Sequence, residues 1–103
     1  MMSQFCHIVL LKFKHDTSDV QIQAIFNMLE SLKNDDKIPG LMSYSGGKYS
    51  SPEGLNKDYT HAFTMIFNDE ASRNDYFPHH EHVKVKDVII SLVDDVIAFD
   101  YAV

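Results

Sequence analysis

The sequence predicts an α+β sandwich, a single sheet of four strands with helices covering one of its faces. Three observations predict it. Two segments, Phe5 to Lys14 and Tyr59 to Phe67, carry apolar residues on both alternating faces, as covered strands do. Two others repeat apolar residues every three or four positions: Ile22, Ile25, Leu29 and Leu32, and later Val85, Val88, Ile89 and Leu92. The elements then follow as strand, helix, strand, strand, helical segment, strand. At 103 residues the chain suffices for one domain, residues 1–103.

The first strand, Phe5 to Lys14, points Phe5, His7, Val9, Leu11 and Phe13 one way and Cys6, Ile8 and Leu10 the other. Thr17-Ser18-Asp19-Val20-Gln21 starts a helix, because Ser18 and Gln21 have the spacing of a capping box. Met28 widens its apolar stripe, the helix ends near Asn34 to Lys37, and Pro39-Gly40 prevents continuation. Leu41 to Tyr49 is a less apolar strand in which Gly46-Gly47 marks a bulge or a close backbone approach. Ser50 to Asp58 reads as a loop and as the segment best suited to cover a pocket. In the third strand, Tyr59 to Phe67, the odd-numbered residues share one face and Thr60, Ala62, Thr64 and Ile66 the other. Asp69 caps a short helix from Glu70 to Phe77, which Pro78 interrupts. The last strand is Val96 to Tyr101, with Ile97 and Phe99 on one side.

Helices on one face leave the other face exposed, and that face is apolar through Ile8, Leu10, Ala62 and Ile66. A second copy packed sheet to sheet is the economical cover, so a symmetric homodimer is expected. Nine basic against fifteen acidic residues give a net charge of −6, which disfavours nucleic acid and anionic membranes as partners. One cysteine, Cys6, excludes an internal disulfide framework and reads as a small buried hydrophobe. No signal peptide is expected, since His7 and Lys12 break Phe5 to Phe13, and no run has the ~18 apolar residues of a membrane helix. The expected location is cytoplasmic.

Four of the six histidines lie between Tyr59 and His82. Imidazole is the side chain whose proton moves most easily near neutral pH. His7 and His61 share the helix-covered face with the apolar core and both look into a space between sheet and helices; His7 reads either as a buried structural histidine or as a cavity group. Tyr76 and His82 reach the same space from the helical side. A tyrosine donor, one base and two supporting imidazoles around an apolar cavity suit proton abstraction next to a carbonyl and stabilisation of the resulting oxyanion. The ligand expected is small and apolar or carbonyl-containing. His79 and His82 with Glu81 between them raise a metal site, but the spacing is not H-E-x-x-H and no third ligand is identifiable. Neither a metal nor a cofactor is expected.

Several stretches carry a resemblance: H-I-V-L-L-K-F-K at His7 to Lys14, I-P-G at Ile38 to Gly40, and S-P-E-G-L-N-K-D-Y-T-H-A-F at Ser51 to Phe63. Tyr76, H-x-x-H at His79 to His82, and F-D-Y at Phe99 to Tyr101 complete the set. In this order they resemble the stress-responsive dimeric α/β-barrel family, often called the Dabb domain. The resemblance implies a ferredoxin-like protomer with a four-stranded antiparallel sheet and a sheet-to-sheet homodimer. Most members have no established activity. In a plant polyketide cyclase of the family a histidine is the base and a tyrosine assists an intramolecular aldol condensation. By that resemblance His82 is the base, Tyr76 the assisting donor, and His7 and His61 the further pocket histidines. Where the family usually has His-Pro, His79 is followed by His80, and Pro78 lies one residue earlier, which shifts the local turn. Some plant members hold magnesium near the dimer interface, and no acidic cluster here marks that site. Three readings compete: a stress-associated binding dimer, a cyclase-like proton-transfer enzyme, and a cofactor-free monooxygenase.

Overall fold

A computed structural model describes residues 3–103. Its elements are β1 (Phe5–Phe13), α1 (Asp19–Asn34), β2 (Leu41–Lys48), β3 (His61–Phe67), α2 (Glu70–Tyr76), α3 (His80–Leu92) and β4 (Val93–Ala102). The strands form one antiparallel sheet in the order β2-β3-β1-β4. This is the ferredoxin-like α+β arrangement that the element order and the resemblance imply.

Local chemistry explains the boundaries. At α1 the capping box forms in both directions, with Gln21 N donating to Ser18 Oγ and Ser18 N donating to the Gln21 side chain. At α2 the Asp69 carboxylate accepts from Ser72 N at 2.8 Å. Gly40 has φ +81°, and an added Cβ would lie 2.1 Å from Ser72 Oγ, so only glycine lets the chain pass this close to α2. Two strand starts differ from the periodicity. β3 begins at His61, and the side chain of Tyr59 bonds Asp95 instead. β4 begins at Val93, directly after α3. The Leu92 carbonyl there accepts from Lys14 N at 2.9 Å and Thr17 Oγ1 at 3.1 Å, so the helix end is satisfied without a connecting loop. The register shift in β2 lies between Leu41 and Ser43, not at Gly46-Gly47.

The register fixes both sheet faces. One face places Leu11, Phe63, Met65 and Phe67 against Ile25, Leu29 and Leu32 of α1 and Val85 and Ile89 of α3, and all are buried. Each large apolar side chain buried this way contributes roughly 1.5–3 kcal/mol. The other face aligns Ile8 with Phe99 and Thr64, Leu10 with Ile97 and Ala62, and Cys6 with Tyr101 and Ile66. No helix covers it within the protomer, and Phe99 remains 63% exposed. Among the described residues no helix is long and apolar enough to cross a membrane.

Candidate active site

A cavity of about 220 Å³ lies between the covered sheet face and α3, lined by His7, Phe63, Phe77, His82, Lys86 and Ile89 among others. β1 supplies His7, which stands opposite Met65 on one side and Asp100 on the other. α3 supplies His82 from its first turn. The helix starts at His80 because His79 caps it, its Nδ1 accepting from Glu81 N at 3.1 Å. Tyr76 ends α2 and is 1% exposed. Its ring centroid lies 4.1 Å from that of His82 and 6.0 Å from that of His7.

Hydrogen bonding assigns the tautomers. A backbone carbonyl can only accept, so His82 donates from Nδ1 to Phe77 O at 2.9 Å and leaves Nε2 with the lone pair in its neutral form. Burial, chiefly, holds the His82 imidazolium below the usual histidine range, with His7, Lys86 and His79 adding in the same direction and the Phe77 carbonyl opposing. His7 donates from Nδ1 to Asp100 Oδ1 at 2.6 Å, and Arg73 Nη1 holds the other Asp100 oxygen at 2.6 Å. A carboxylate thus orients His7 from behind and is itself pinned by a guanidinium. The Tyr76 hydroxyl is buried and has no hydrogen-bond partner among the described residues, and its burial raises the phenol pKa.

The structure brings His7, Tyr76 and His82 together, whereas His61 lies elsewhere. In the register His61 stands opposite Leu11, four residues along β1 from His7, or roughly 13 Å at the rise of a strand. It lines a second cavity of about 390 Å³ with Asp19, Phe26, Tyr44, Gly46 and Lys48. Phe13 and Phe26 pack against its ring, and its Nδ1 shares a hydrogen bond of 2.8 Å with Thr60 Oγ1. Burial first and Lys48 second lower its pKa, opposed by Asp19. Phe63 separates the two cavities, its ring centroid 6.3 Å from both His7 and Tyr44. Gly46 closes the partition, since a Cβ there would lie 3.0 Å from Phe63 Cβ and 2.9 Å from Phe26. The loop of residues 50–58 borders neither of these two cavities, but its Asn56 lines a smaller one of about 120 Å³ with Tyr59 and His61. Gly54 N donates to Tyr49 Oη at 2.9 Å, and Asn56 Nδ2 donates to Tyr59 O at 2.9 Å.

Asp100, Arg73 and Lys86 were not singled out from the sequence. Alternation in F-D-Y holds a signal for the first: with Phe99 on the open face, Asp100 must project a carboxylate into the covered one. Of the two histidines of the alternative metal reading, His79 uses its Nδ1 lone pair at the helix start, and His82 keeps a free Nε2. Among the described residues no three His, Cys, Asp or Glu groups converge as ligands.

Fold and site define a class: a ferredoxin-like α+β protein whose cavity between sheet and last helix is lined by two histidines, His7 and His82, with Tyr76 buried beside them and outside the lining. The chain matches the stress responsive A/B barrel domain (Dabb) over residues 5–103, and it belongs to that family. It is 30% identical over 95 residues to olivetolic acid cyclase of Cannabis sativa, an alignment covering 92% of each chain. Among solved structures it resembles a hydroxynitrile lyase from Passiflora edulis, with a TM-score of 0.90 at 20% identity, covering 100% of this chain and 95% of that one. It also resembles a dimeric ferredoxin-like protein of unknown function from Jannaschia, with a TM-score of 0.86 at 21% identity over 97% of this chain and 99% of the other.

Proposed function

We propose that this chain is a homodimer joined through its open sheet faces and that its cavity catalyses cofactor-free proton transfer next to a carbonyl. The reaction best suited to it is a cyclase-like intramolecular aldol condensation. One observation carries the reading: the buried Tyr76 hydroxyl, without a partner, lies beside an imidazole whose Nε2 lone pair is free. A buried donor left unbonded costs about 1–3 kcal/mol, and an oxyanion that accepts from it relieves this cost as charge develops.

In this scheme His82 Nε2 removes a proton from the carbon beside a ketone, and the enolate oxygen accepts from Tyr76 Oη. The enolate carbon then attacks a second carbonyl of the same molecule, forming the new C–C bond as that C=O π bond breaks, and the imidazolium returns its proton to the resulting alkoxide; loss of the remaining α-proton and of this hydroxyl as water completes the condensation. His7, held by Asp100, presents Nε2 to orient the carbonyl. Phe77 packs against the rings of His7, Tyr76 and His82, so it must shift to admit a ligand to the hydroxyl. The kinship to a cyclase at 30% identity supports the reaction class. The dimer draws its support from the apolar open face and from dimeric structural neighbours.

The test needs no natural substrate. Adding 2-pentanone should move the ring NMR signals of His82 and Tyr76 and leave those of exposed His15 in place. If saturating ketone leaves both rings unmoved, the site is wrongly placed. With a substrate in hand, His82→Ala should lose roughly 10²–10⁴-fold in rate, as removal of a general base does.

A further inference from the structure

We infer that the His82 cavity selects carbonyl compounds that also carry a carboxylate, with Lys86 as the counter-charge; the inference rests on the proton-transfer reading above. Lys86 follows His82 by four residues, so the two side chains lie on the same face of α3, about 5–6 Å apart at Cβ. Both line the cavity, and no carboxylate does. Apart from the imidazoles of His7 and His82, the remaining lining side chains are apolar, among them Val9, Phe63 and Ile90.

The nearby ion pairs leave Lys86 out. Glu81 takes Lys37 and Lys84, and Asp100 takes Arg73 and His7. No carboxylate among the described residues lies within 4.0 Å of the Lys86 ammonium. The chain as a whole carries a charge of −6, so its general field repels anions. A cation without a protein partner at the wall of an apolar cavity locally reverses that preference. A lysine that only extends into water would leave the choice of ligand unchanged, and this separates the two roles.

Size narrows the class. A space of about 220 Å³ lies below the roughly 300–1,000 Å³ of drug-sized ligand sites. That fits a short oxo acid, with its ketone at His82, within reach of Tyr76 once Phe77 has shifted, and its carboxylate a few carbons away at Lys86. The two recognition elements are then one helical turn apart, and a ligand bearing only one of them uses half of the site.

The experiment titrates the full chain and its Lys86→Met and Lys86→Arg variants with 4-oxopentanoate and its methyl ester, following binding by calorimetry and the His82 ring by NMR. Lys86 is exposed on α3, so both variants keep the fold. The wild type should bind the acid at least roughly fivefold more tightly than the ester, Lys86→Met should remove that preference without weakening the ester, and Lys86→Arg should restore it. Raising the salt from low to high should shrink the preference. Equal binding of acid and ester by the wild type, or equal weakening of both in Lys86→Met, overturns the inference. If the ester still moves the His82 ring, the proton-transfer reading survives that result. If neither compound moves it, that reading fails and the inference fails with it.

Discussion

Replacing Tyr76 with phenylalanine should stabilise the protein while impairing its chemistry. The hydroxyl is buried without a partner and the residue is 1% exposed, so the folded state bears its full desolvation cost. Removing the oxygen returns about 1–3 kcal/mol. Against this stands the space left behind, roughly 15 Å³, which costs about 0.4 kcal/mol at ~24 cal/mol per Å³. The expected balance is a gain of about 0.6–2.6 kcal/mol. For a chain of this size that raises the Tm by at least roughly 2 °C. Urea unfolding of both proteins, followed by circular dichroism at one fixed protomer concentration, measures the gain without confounding it with dimerisation. Turnover of a carbonyl substrate should fall by on the order of 10²–10³, the usual effect of losing one oxyanion donor. A loss of 1 kcal/mol or more in the variant would refute the reasoning, because it would mean that the hydroxyl is already bonded and is not a waiting donor.

Three further outcomes follow from the same geometry. Ile66→Asp should convert a species of about twice the 11.8 kDa chain mass into a monomer by sedimentation at micromolar concentration, since an unpaired carboxylate in the sheet interface costs several kcal/mol; an intact dimer of unchanged strength would show that the open face is not the interface. Asp100→Asn should cost about 2 kcal/mol through Arg73 and His7 and move the His7 ring-nitrogen NMR signals, because an amide no longer fixes the proton on Nδ1; unmoved signals would mean that the carboxylate does not set the tautomer. Stability should fall as pH drops below about 6.5, because the folded His82 value lies below the unfolded one and the unfolded chain takes up its proton first. That contribution is complete above the unfolded value and is lost as pH falls through the folded one. His82→Gln should flatten the slope between pH 7.5 and 5, with His61 retaining a part of the same sign, and an unchanged slope would contradict the assignment.

Alternation and helical stripes carry the face of each residue, and this made the fold legible. Ser18 with Gln21, and Asp69 before Glu70, also marked helix starts by chemistry that needs no tertiary contact. Periodicity does not say how far along a face a residue stands. His7 and His61 share a face, yet the pairing of His7 with Met65 and of Leu11 with His61 separates them by two pleats, with Phe63 between. Alternation signals the face of Asp100, but its pairing with Arg73 and His7 was illegible for a related reason. One of three acids in the last strand and a lone arginine in a seven-residue helix gain meaning only when the sheet order puts β4 beside β1. The early start of β4 was hidden because its cap comes from Lys14 and Thr17, some 75 residues away.

The direct passage from α3 into β4 has a mechanical consequence. With no loop between Leu92 and Val93, no slack separates the helix that carries His82 and Lys86 from the strand that carries Asp100. Alternate residues of that strand serve two clients, Asp100 holding His7 on one side while Phe99 and Tyr101 form the open face on the other. A displacement at a bound ligand would therefore reach the surface where a second copy would dock. In the proposed dimer, occupancy and assembly would share one free energy: whatever factor pairing added to ligand affinity, the ligand would return to pairing.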